Sequence, residues 1–215
     1  MGEGGEGREH QARVTRLRLA LLCGIAAPAI WLALILVAGS LRPDFNHVTH
    51  YISELGEHGS STEMPMRIAG FGFTGFLYIC FALALAAIFR TDRLSAIAAG
   101  LLGLEGLGRI GAGVFACDPG CEGFSTSQEL HRQFATVGFL SGVAASIAWG
   151  IIFRRRGWAR LAAYSVATGI LALAFLVLMS WSRNPVNAPG LFEHLATVTL
   201  SLWLLAFAGR LFRNE

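Results

Sequence analysis

The sequence predicts an all-α integral membrane protein, a six-helix transmembrane bundle with a short interfacial helix in the first outward loop. The 215-residue chain is 54% hydrophobic and only 14% charged, which is more apolar surface than a soluble domain of this length can cover. Its apolar residues form six stretches, each near the roughly 20 helical residues that cross a bilayer. The arginines gather at alternate connections, as in multi-pass proteins.

The predicted spans are joined by mostly short connections, so consecutive helices should be antiparallel neighbours. Residues 1–12, rich in Gly and Glu, have almost nothing to bury and are predicted to be a disordered cytoplasmic tail. Residues 13–215 then form a single transmembrane domain. The first apolar run exceeds the roughly 7–15 residues of a signal peptide, which favours an uncleaved span. The six spans are predicted at residues 17–39, 68–90, 94–116, 131–153, 159–181 and 190–210.

The arginines predict the orientation of the bundle. The chain has no lysine; twelve arginines flank one side of the predicted membrane and four the other, with Arg109 inside the third span. Because the cytoplasmic loops of membrane proteins carry an excess of Lys and Arg, both termini are predicted to be cytoplasmic. The protein is predicted to be multi-pass in the plasma membrane. These arginines account for the net charge of +3 and favour anionic lipid heads, so the bilayer and no nucleic acid is the expected partner.

The first outward loop carries titratable residues at helical spacing. His47, His50 and Glu54 recur at intervals of three and four, so on a helix they would share one face. An apolar stripe lies beside them, which indicates an amphipathic helix at the outer interface, ended by Gly56. The alternative is that these histidines merely face water and lipid heads. The stripe consists of Phe45, Val48, Ile52 and Leu55.

The second outward loop contains Cys117 and Cys121 on either side of Asp118-Pro119-Gly120. Pro-Gly favours a tight turn that brings the two sulfurs together. On an oxidising face this pattern predicts a disulfide, with a thiolate metal pair as the alternative.

The third span contains a glutamate and an arginine, Glu105 and Arg109, in the favourable i, i+4 order. Ionisable groups at this depth usually face the bundle interior and are functional candidates. They are assigned to substrate binding, with a structural ion pair as the alternative.

Two further histidines, His131 and His194, lie near the outer ends of the fourth and sixth spans. With His50 and Asp118 they are predicted to converge beneath the first loop. Three histidines and a carboxylate would suit a zinc site with an open position, at His50, His131 and His194. A histidine at a helix end is alternatively a hydrogen-bonded cap.

Four segments carry a resemblance to a known family: residues 51–56 (Tyr-Ile-Ser-Glu-Leu-Gly), 70–73 (Gly-Phe-Gly-Phe), 115–121 and His131. The chain resembles a bacterial family of six-helix membrane proteins named domain of unknown function nine-nine-eight. The resemblance implies six helices and an exposed cluster of outer loops, and it implies no activity. The matching positions are Ser53, Glu54, Gly56, Cys117, Asp118, Cys121 and His131.

These observations favour a membrane-embedded enzyme that acts on a lipid or isoprenoid from the extracytoplasmic side. Glu54 or Asp118 would be the acid or base, while histidines relay protons or bind zinc. One chemistry is metal-assisted hydrolysis of an ester or amide lipid. The other is protonation-initiated cyclisation of a polyprenyl chain, with the cation stabilised by aromatic rings. The candidate catalytic residues are Glu54, Asp118, His131, His194 and His50, and the aromatic substrate-binding candidates are Phe71, Phe73 and Trp181.

Two alternatives from other classes stay open. The first is a non-catalytic lipid-binding, sensor or partner-binding membrane protein whose loops are the binding surface. The second is a small proton-coupled transporter that uses Glu105, Arg109 and His194; the chain shows no clear inverted repeat, which counts against it.

Overall fold

The computed structural model describes residues 3–90, 92–181 and 188–213. Within them, six helices are long and apolar enough to cross a membrane, and no strand is present. The predicted all-α, six-span fold is therefore confirmed. The helices are α1 Glu3–Ser40, α2 Glu63–Ile88, α3 Arg93–Val114, α4 Thr126–Arg155, α5 Ala159–Trp181 and α6 Pro189–Phe212.

The helices form a closed ring in chain order. Each packs against the next, and α1 also packs against α6. Glycines let α3 approach its neighbours closely: a Cβ on Gly106 would lie 2.5 Å from Gly75 O in α2, and one on Gly108 would lie 2.6 Å from Gly138 Cα in α4. These contacts are the small-residue packing expected between membrane helices. With six helices in antiparallel succession, both ends of the chain lie at the same end of the ring.

The first helix begins earlier than the sequence predicts. α1 starts at Glu3. Residues 3–12, which were predicted to be a disordered tail, therefore continue the helix of the first span. Once a helix is nucleated, each added residue contributes a hydrogen bond at little further cost, and a stable span can propagate helix beyond its own apolar run. Residues 1–2 lie outside the described residues.

The outer end of α2 is wider than a regular α-helix. Met66–Phe73 is π-helical, a form found mostly as short segments at functional sites. Its Met66 and Phe71 are buried in the outer core cluster. Arg67 donates hydrogen bonds to Gly113 O (2.8 Å) and Val114 O (2.9 Å), satisfying carbonyls at the end of α3. This segment thus ties α2 to α3 directly beneath the outer loops.

The first outward loop contains a short helix, as predicted, but the helix is shorter than the spacing of the titratable residues indicates. Residues 42–50 form turns, and only Ile52–Gly56 is helical, as a 3-10 turn. Ile52 and Leu55 are fully buried beside Trp31 and Met66. Apolar side chains on the loop find a better environment between the helix ends than at the interface, so burial overrides the helical periodicity. His47, His50 and Glu54 consequently do not share one helical face.

Candidate functional site

A serine and a histidine meet under the first loop. Ser53 is the second residue of the 3-10 turn and His131 lies in the second turn of α4. Ser53 Oγ is 3.0 Å from His131 Nε2. His131 Nδ1 lies 2.9 Å from Ala112 O and 2.8 Å from Phe115 O at the end of α3. A carbonyl only accepts, so Nδ1 carries the proton and Nε2 accepts the Ser53 hydroxyl.

This arrangement has the geometry of an activated nucleophile. A hydroxyl is hydrogen-bonded to a neutral imidazole, and a third group fixes the imidazole's orientation and tautomer. Here the third group is a pair of backbone carbonyls where many hydrolases have a carboxylate. His131 is only 4% exposed, so the imidazole is held rigidly.

The turn that carries Ser53 is held by two buried carboxyl groups. Glu193 Oε2 accepts the Ile52 N–H at 2.7 Å, and Glu54 Oε1 accepts the Tyr51 N–H at 2.7 Å. The Ser53 N–H has no hydrogen-bond partner among residues 3–90, 92–181 and 188–213. It is therefore available to donate a hydrogen bond to a group bound beside Ser53.

The predicted disulfide is present. Cys117 and Cys121 are bonded, with Gly120 between them at φ 69°, the left-handed conformation that glycine favours. Cys117 Sγ lies 3.6 Å from Ser53 O, so the disulfide packs against the turn that carries Ser53. Gly120 N–H donates to Glu57 Oε2 at 2.5 Å, which links the second outward loop to the first.

Asp118, a candidate acid or base, is placed elsewhere. Its carboxylate accepts hydrogen bonds from Ser125 Oγ (2.7 Å) and Ser125 N (3.1 Å), just before α4. These bonds lower the pKa of Asp118 from its ordinary value. Asp118 therefore orders the entry to α4, and its carboxylate is hydrogen-bonded to Ser125 instead of the Ser53–His131 pair.

Glu54, the other candidate acid or base, is buried and also lies beside the pair. Burial raises the pKa of Glu54 above its ordinary value. Its Oε2 is 4.0 Å from His50 Nε2, and its backbone carbonyl accepts a hydrogen bond from Arg42 Nη1 at 2.6 Å. Glu54 thus fixes the loop, while the carboxyl group that lines both cavities with Ser53 is that of Glu193.

Two other histidines, His47 and His194, form a separate pair. His47 Nδ1 lies 2.8 Å from His194 Nε2, and His194 Nδ1 lies 2.7 Å from Gly190 O. His50 Nδ1 accepts the Asn46 N–H at 2.8 Å. The three histidines predicted to bind zinc, His50, His131 and His194, thus have their ring nitrogens engaged in different places. Among the described residues no group of three His, Cys, Asp or Glu side chains is placed to hold a metal ion. His50, His131 and His194 therefore do not form the predicted zinc site, because their ring nitrogens are bonded to different partners.

A cavity of about 450 Å³ lies beside the Ser53–His131 pair. Its far wall is apolar and comes from the outer halves of α4 and α5. Leu140 on this wall is 50% exposed, so the cavity reaches the lipid-facing surface of the bundle. Arg132 borders it and is half-exposed beside Glu129. The lining residues are Tyr51, Ser53, Cys121, Gln128, His131, Arg132, Ala135, Thr136, Phe139, Leu140, Leu176, Met179, Ser180 and Glu193.

A second cavity of about 40 Å³ lies deeper and is bordered by the predicted ion pair. Arg109 Nη2 is 3.5 Å from Glu105 Oε1. The guanidinium lies 4.8 Å from the ring centres of both Trp31 and Tyr78, a cation–π arrangement. Ser53 lines this cavity as well as the larger one, so the serine and the ion pair of Glu105 and Arg109 border the same small cavity.

The predicted aromatic binding residues are dispersed. Phe71 packs on Trp31 at 4.9 Å and edge-on to His131 at 6.1 Å. Phe73 is 48% exposed and Trp181 is 76% exposed, so both face outward and do not join Phe71 at either cavity. Residues two apart on a helix point to nearly opposite sides, so the burial of Phe71 leaves Phe73 facing outward. The three rings do not surround a common point that could hold a carbocation.

Two residues at the centre of the site, Ser53 and Glu193, were not predicted to have a role. Ser53 does lie in one of the motifs shared with the resembling family. Glu193 lies at the start of the sixth span beside His194. Ser53 is 78 residues from His131 in the chain, and Glu193 is 141 residues from Ile52, whose N–H it binds. Neither pairing therefore leaves a spacing signal in the sequence.

Comparison with known proteins gives one match. The model of a family described as "Protein of unknown function (DUF998)" matches residues 25–210. No curated protein matches the chain. No solved structure matches it.

Proposed function

Because the chain belongs to the DUF998 family, whose description assigns no activity, we propose a function from the site itself: a membrane-embedded serine hydrolase that cleaves ester bonds of membrane lipids. One observation carries the proposal. Ser53 Oγ lies 3.0 Å from the unprotonated Nε2 of His131, on the wall of a cavity that reaches the lipid-facing surface. A nucleophile, its base and a route for an apolar substrate thus coincide.

The chemistry follows the usual order of acyl transfer. His131 Nε2 takes the Ser53 proton while Oγ attacks the ester carbonyl carbon. The bonds from Nδ1–H to Ala112 O and Phe115 O keep the imidazole in the tautomer that can accept this proton. The Ser53 N–H would donate to the carbonyl oxygen as it becomes negative. His131 then gives its proton to the departing alcohol, and the acyl group stays on Ser53 until water releases it.

The cavity indicates the class of substrate. Its volume is within the roughly 300–1,000 Å³ of small-molecule sites. Its apolar wall, formed by Phe139, Leu140, Leu176 and Met179, suits an acyl chain that enters sideways between α4 and α5. Arg132 at the border is placed to meet a polar head group. A lipid with an ester bond close to its head group fits this polarity.

The proposed orientation places the site on the extracytoplasmic side of the plasma membrane. The arginine-rich connections lie at the end of the ring opposite the Ser53–His131 pair, and positive charge favours the cytoplasm. The disulfide lies at the same end as the site, which agrees with an oxidising compartment. Both termini would then be cytoplasmic.

The test is covalent labelling with a long-chain alkyl fluorophosphonate, which reacts with activated serines. The protein is reconstituted in nanodiscs and the labelled peptide is identified by mass spectrometry. We expect one adduct, at Ser53, that Ser53→Ala abolishes. Ser180→Ala is the matched control, since Ser180 lines the same cavity but its hydroxyl donates to a backbone carbonyl, Val177 O, instead of a histidine. Folded protein that forms no adduct at Ser53 would refute the hydrolase.

Labelled phospholipids then identify the reaction. Release of free fatty acid from vesicles of defined composition, lost in Ser53→Ala, supports ester hydrolysis.

A second candidate, lipid binding without chemistry, is favoured by the same laterally open cavity. It predicts that lipid co-purifies with the protein and is displaced when Leu140→Trp fills the cavity, whereas Ser53 forms no adduct. The labelling experiment therefore separates the two candidates.

A further inference from the structure

We propose that the deep cavity on the inner side of Ser53 is a water site that supplies the nucleophile for the second half of the reaction. The inference rests on the proposed hydrolase function and extends it to the source of the water. The deep cavity and the larger one share Ser53, Ala135, Phe139 and Glu193. Ser53 therefore has the lipid-accessible cavity on one side and this small chamber on the other.

The size and polarity of the chamber suit water. Its volume of about 40 Å³ compares with the roughly 10–15 Å³ that a single water requires on this measure. Ser53, Glu105, Arg109 and Glu193 contribute polar groups to a wall that is otherwise apolar. A buried water needs two to four polar partners, and these side chains can supply that number.

Two buried N–H groups on the wall specifically require an acceptor. Trp31 Nε1 and Arg109 Nε have no hydrogen-bond partner among the described residues, and Trp31 is only 3% exposed. Leaving a buried donor unpaired costs about 1–3 kcal/mol, so native structures usually satisfy it with protein or water. Water is small enough for the chamber and accepts hydrogen bonds from both groups.

The larger cavity cannot readily supply this water during catalysis. Once an acyl chain lies along Phe139, Leu140 and Leu176, that side of Ser53 is covered with hydrocarbon. A chamber behind the serine keeps water within reach of the acyl-enzyme without passing it through the lipid.

The step balances as follows. The water oxygen bonds to the acyl carbonyl carbon, and a water proton passes to His131 Nε2. The bond between that carbon and Ser53 Oγ breaks, and Oγ recovers the proton from His131. A free carboxylic acid leaves, and the enzyme returns to its starting state. No oxidant, reductant or other reactant is needed.

Gly138→Ala tests the assignment because it adds a single methyl group at the chamber wall. The new Cβ would meet Glu105 O and Gly108 Cα at 3.5 Å, ordinary contact distances, so α3 and α4 need not move. Gly103→Ala is the matched control: it is also a glycine in a spanning helix with ordinary contact, 3.6 Å from Ala82 Cβ, but it does not line the chamber.

The readout is the time course with a p-nitrophenyl ester of a medium-chain fatty acid, in nanodiscs. The initial burst reports acylation of Ser53, and the steady rate reports release by water. In Gly138→Ala we expect the burst to stay within about twofold of wild type and the steady rate to fall about tenfold or more. Gly103→Ala should match wild type in both phases. A wild-type steady rate in Gly138→Ala would overturn the role in deacylation.

Radiolytic footprinting tests the water itself, independently of activity. X-rays convert bound water to hydroxyl radicals that oxidise adjacent side chains. We expect fast oxidation of Trp31, reduced in Gly138→Ala. Trp203 is the internal control, because it is also buried and not on this wall but its Nε1–H already donates to Ser165 Oγ at 2.8 Å. Oxidation of Trp31 no faster than that of Trp203 would overturn the water site. A protein that releases no p-nitrophenol refutes the hydrolase instead, so the two failures are distinguishable.

Discussion

Replacing His131 with asparagine separates the chemical role of the imidazole from its structural role. An asparagine amide nitrogen sits close to where His Nδ1 sits, so His131→Asn can still donate to Ala112 O or Phe115 O. The variant lacks Nε2, which is the only ring atom bonded to Ser53. The substitution therefore removes the base while keeping much of the anchor to α3.

The structure allows the two effects to be given magnitudes. Loss of one neutral hydrogen bond to Ser53 costs about 0.5–1.5 kcal/mol. In a domain of this size, each kcal/mol of lost stability lowers the Tm by about 2–4 °C. Against a total stability of about 5–15 kcal/mol the protein stays almost fully folded. Loss of a general base lowers a rate about 10²- to 10⁴-fold.

The assay compares the rate of fluorophosphonate labelling at Ser53 with the Tm of the same preparation. We expect labelling to slow at least about 100-fold while Tm falls by only a few degrees. A purely structural His131 predicts the opposite, with labelling close to wild type as long as the protein is folded. Wild-type labelling in His131→Asn would refute the role of His131 as base.

Three further predictions concern the loop, the disulfide and the topology. Burial raises the pKa of Glu54 in the folded protein. The contribution of Glu54 to stability is therefore present below its unfolded pKa of about 4.3 and is lost as pH rises through its folded pKa. With rising pH the Tm should fall more steeply in wild type than in Glu54→Gln, and identical slopes would contradict this. Intact mass should show alkylation of Cys117 and Cys121 only after reduction, and reduction should slow labelling of Ser53, whose carbonyl the disulfide contacts; alkylation of both thiols without reductant would contradict the bond. The topology is tested with single cysteines placed at position 60 or 159 in a variant without Cys23 and Cys80. Impermeant thiol reagents applied to intact cells should modify the cysteine at position 60 and leave the one at position 159 unmodified, because the arginine-rich connections face the cytoplasm. Modification at position 159 would reverse the topology.

The fold could be predicted from the sequence because its strongest constraint is local. A helix that crosses a bilayer must satisfy its own backbone hydrogen bonds and present an apolar surface, so each span can be identified as one contiguous apolar run. The disulfide could also be predicted, since Cys117 and Cys121 are four residues apart around a Pro-Gly turn. The intrahelical pair of Glu105 and Arg109 follows from helical spacing in the same way.

The site could be predicted only in part, because its contacts join distant segments. His131 was identified as a candidate, but its partner was expected among His50, Asp118 and His194. The ring closure of α1 on α6 and the burial of Ile52 and Leu55 decide which loop residue faces His131. Helical periodicity would have turned His50 and Glu54 inward together; the 3-10 turn presents Ser53 instead.

The sequence by itself determined the six spans, the side that carries the titratable groups and the disulfide. Only the tertiary structure decided that Ser53, His131 and Glu193 share one wall and that a small polar chamber lies behind the serine. The physical reason is that spans and turns depend on hydrophobicity and dihedral preferences within a few residues. A nucleophile and its base depend on side-chain positions good to a fraction of an ångström, and packing between residues far apart in the chain sets those positions.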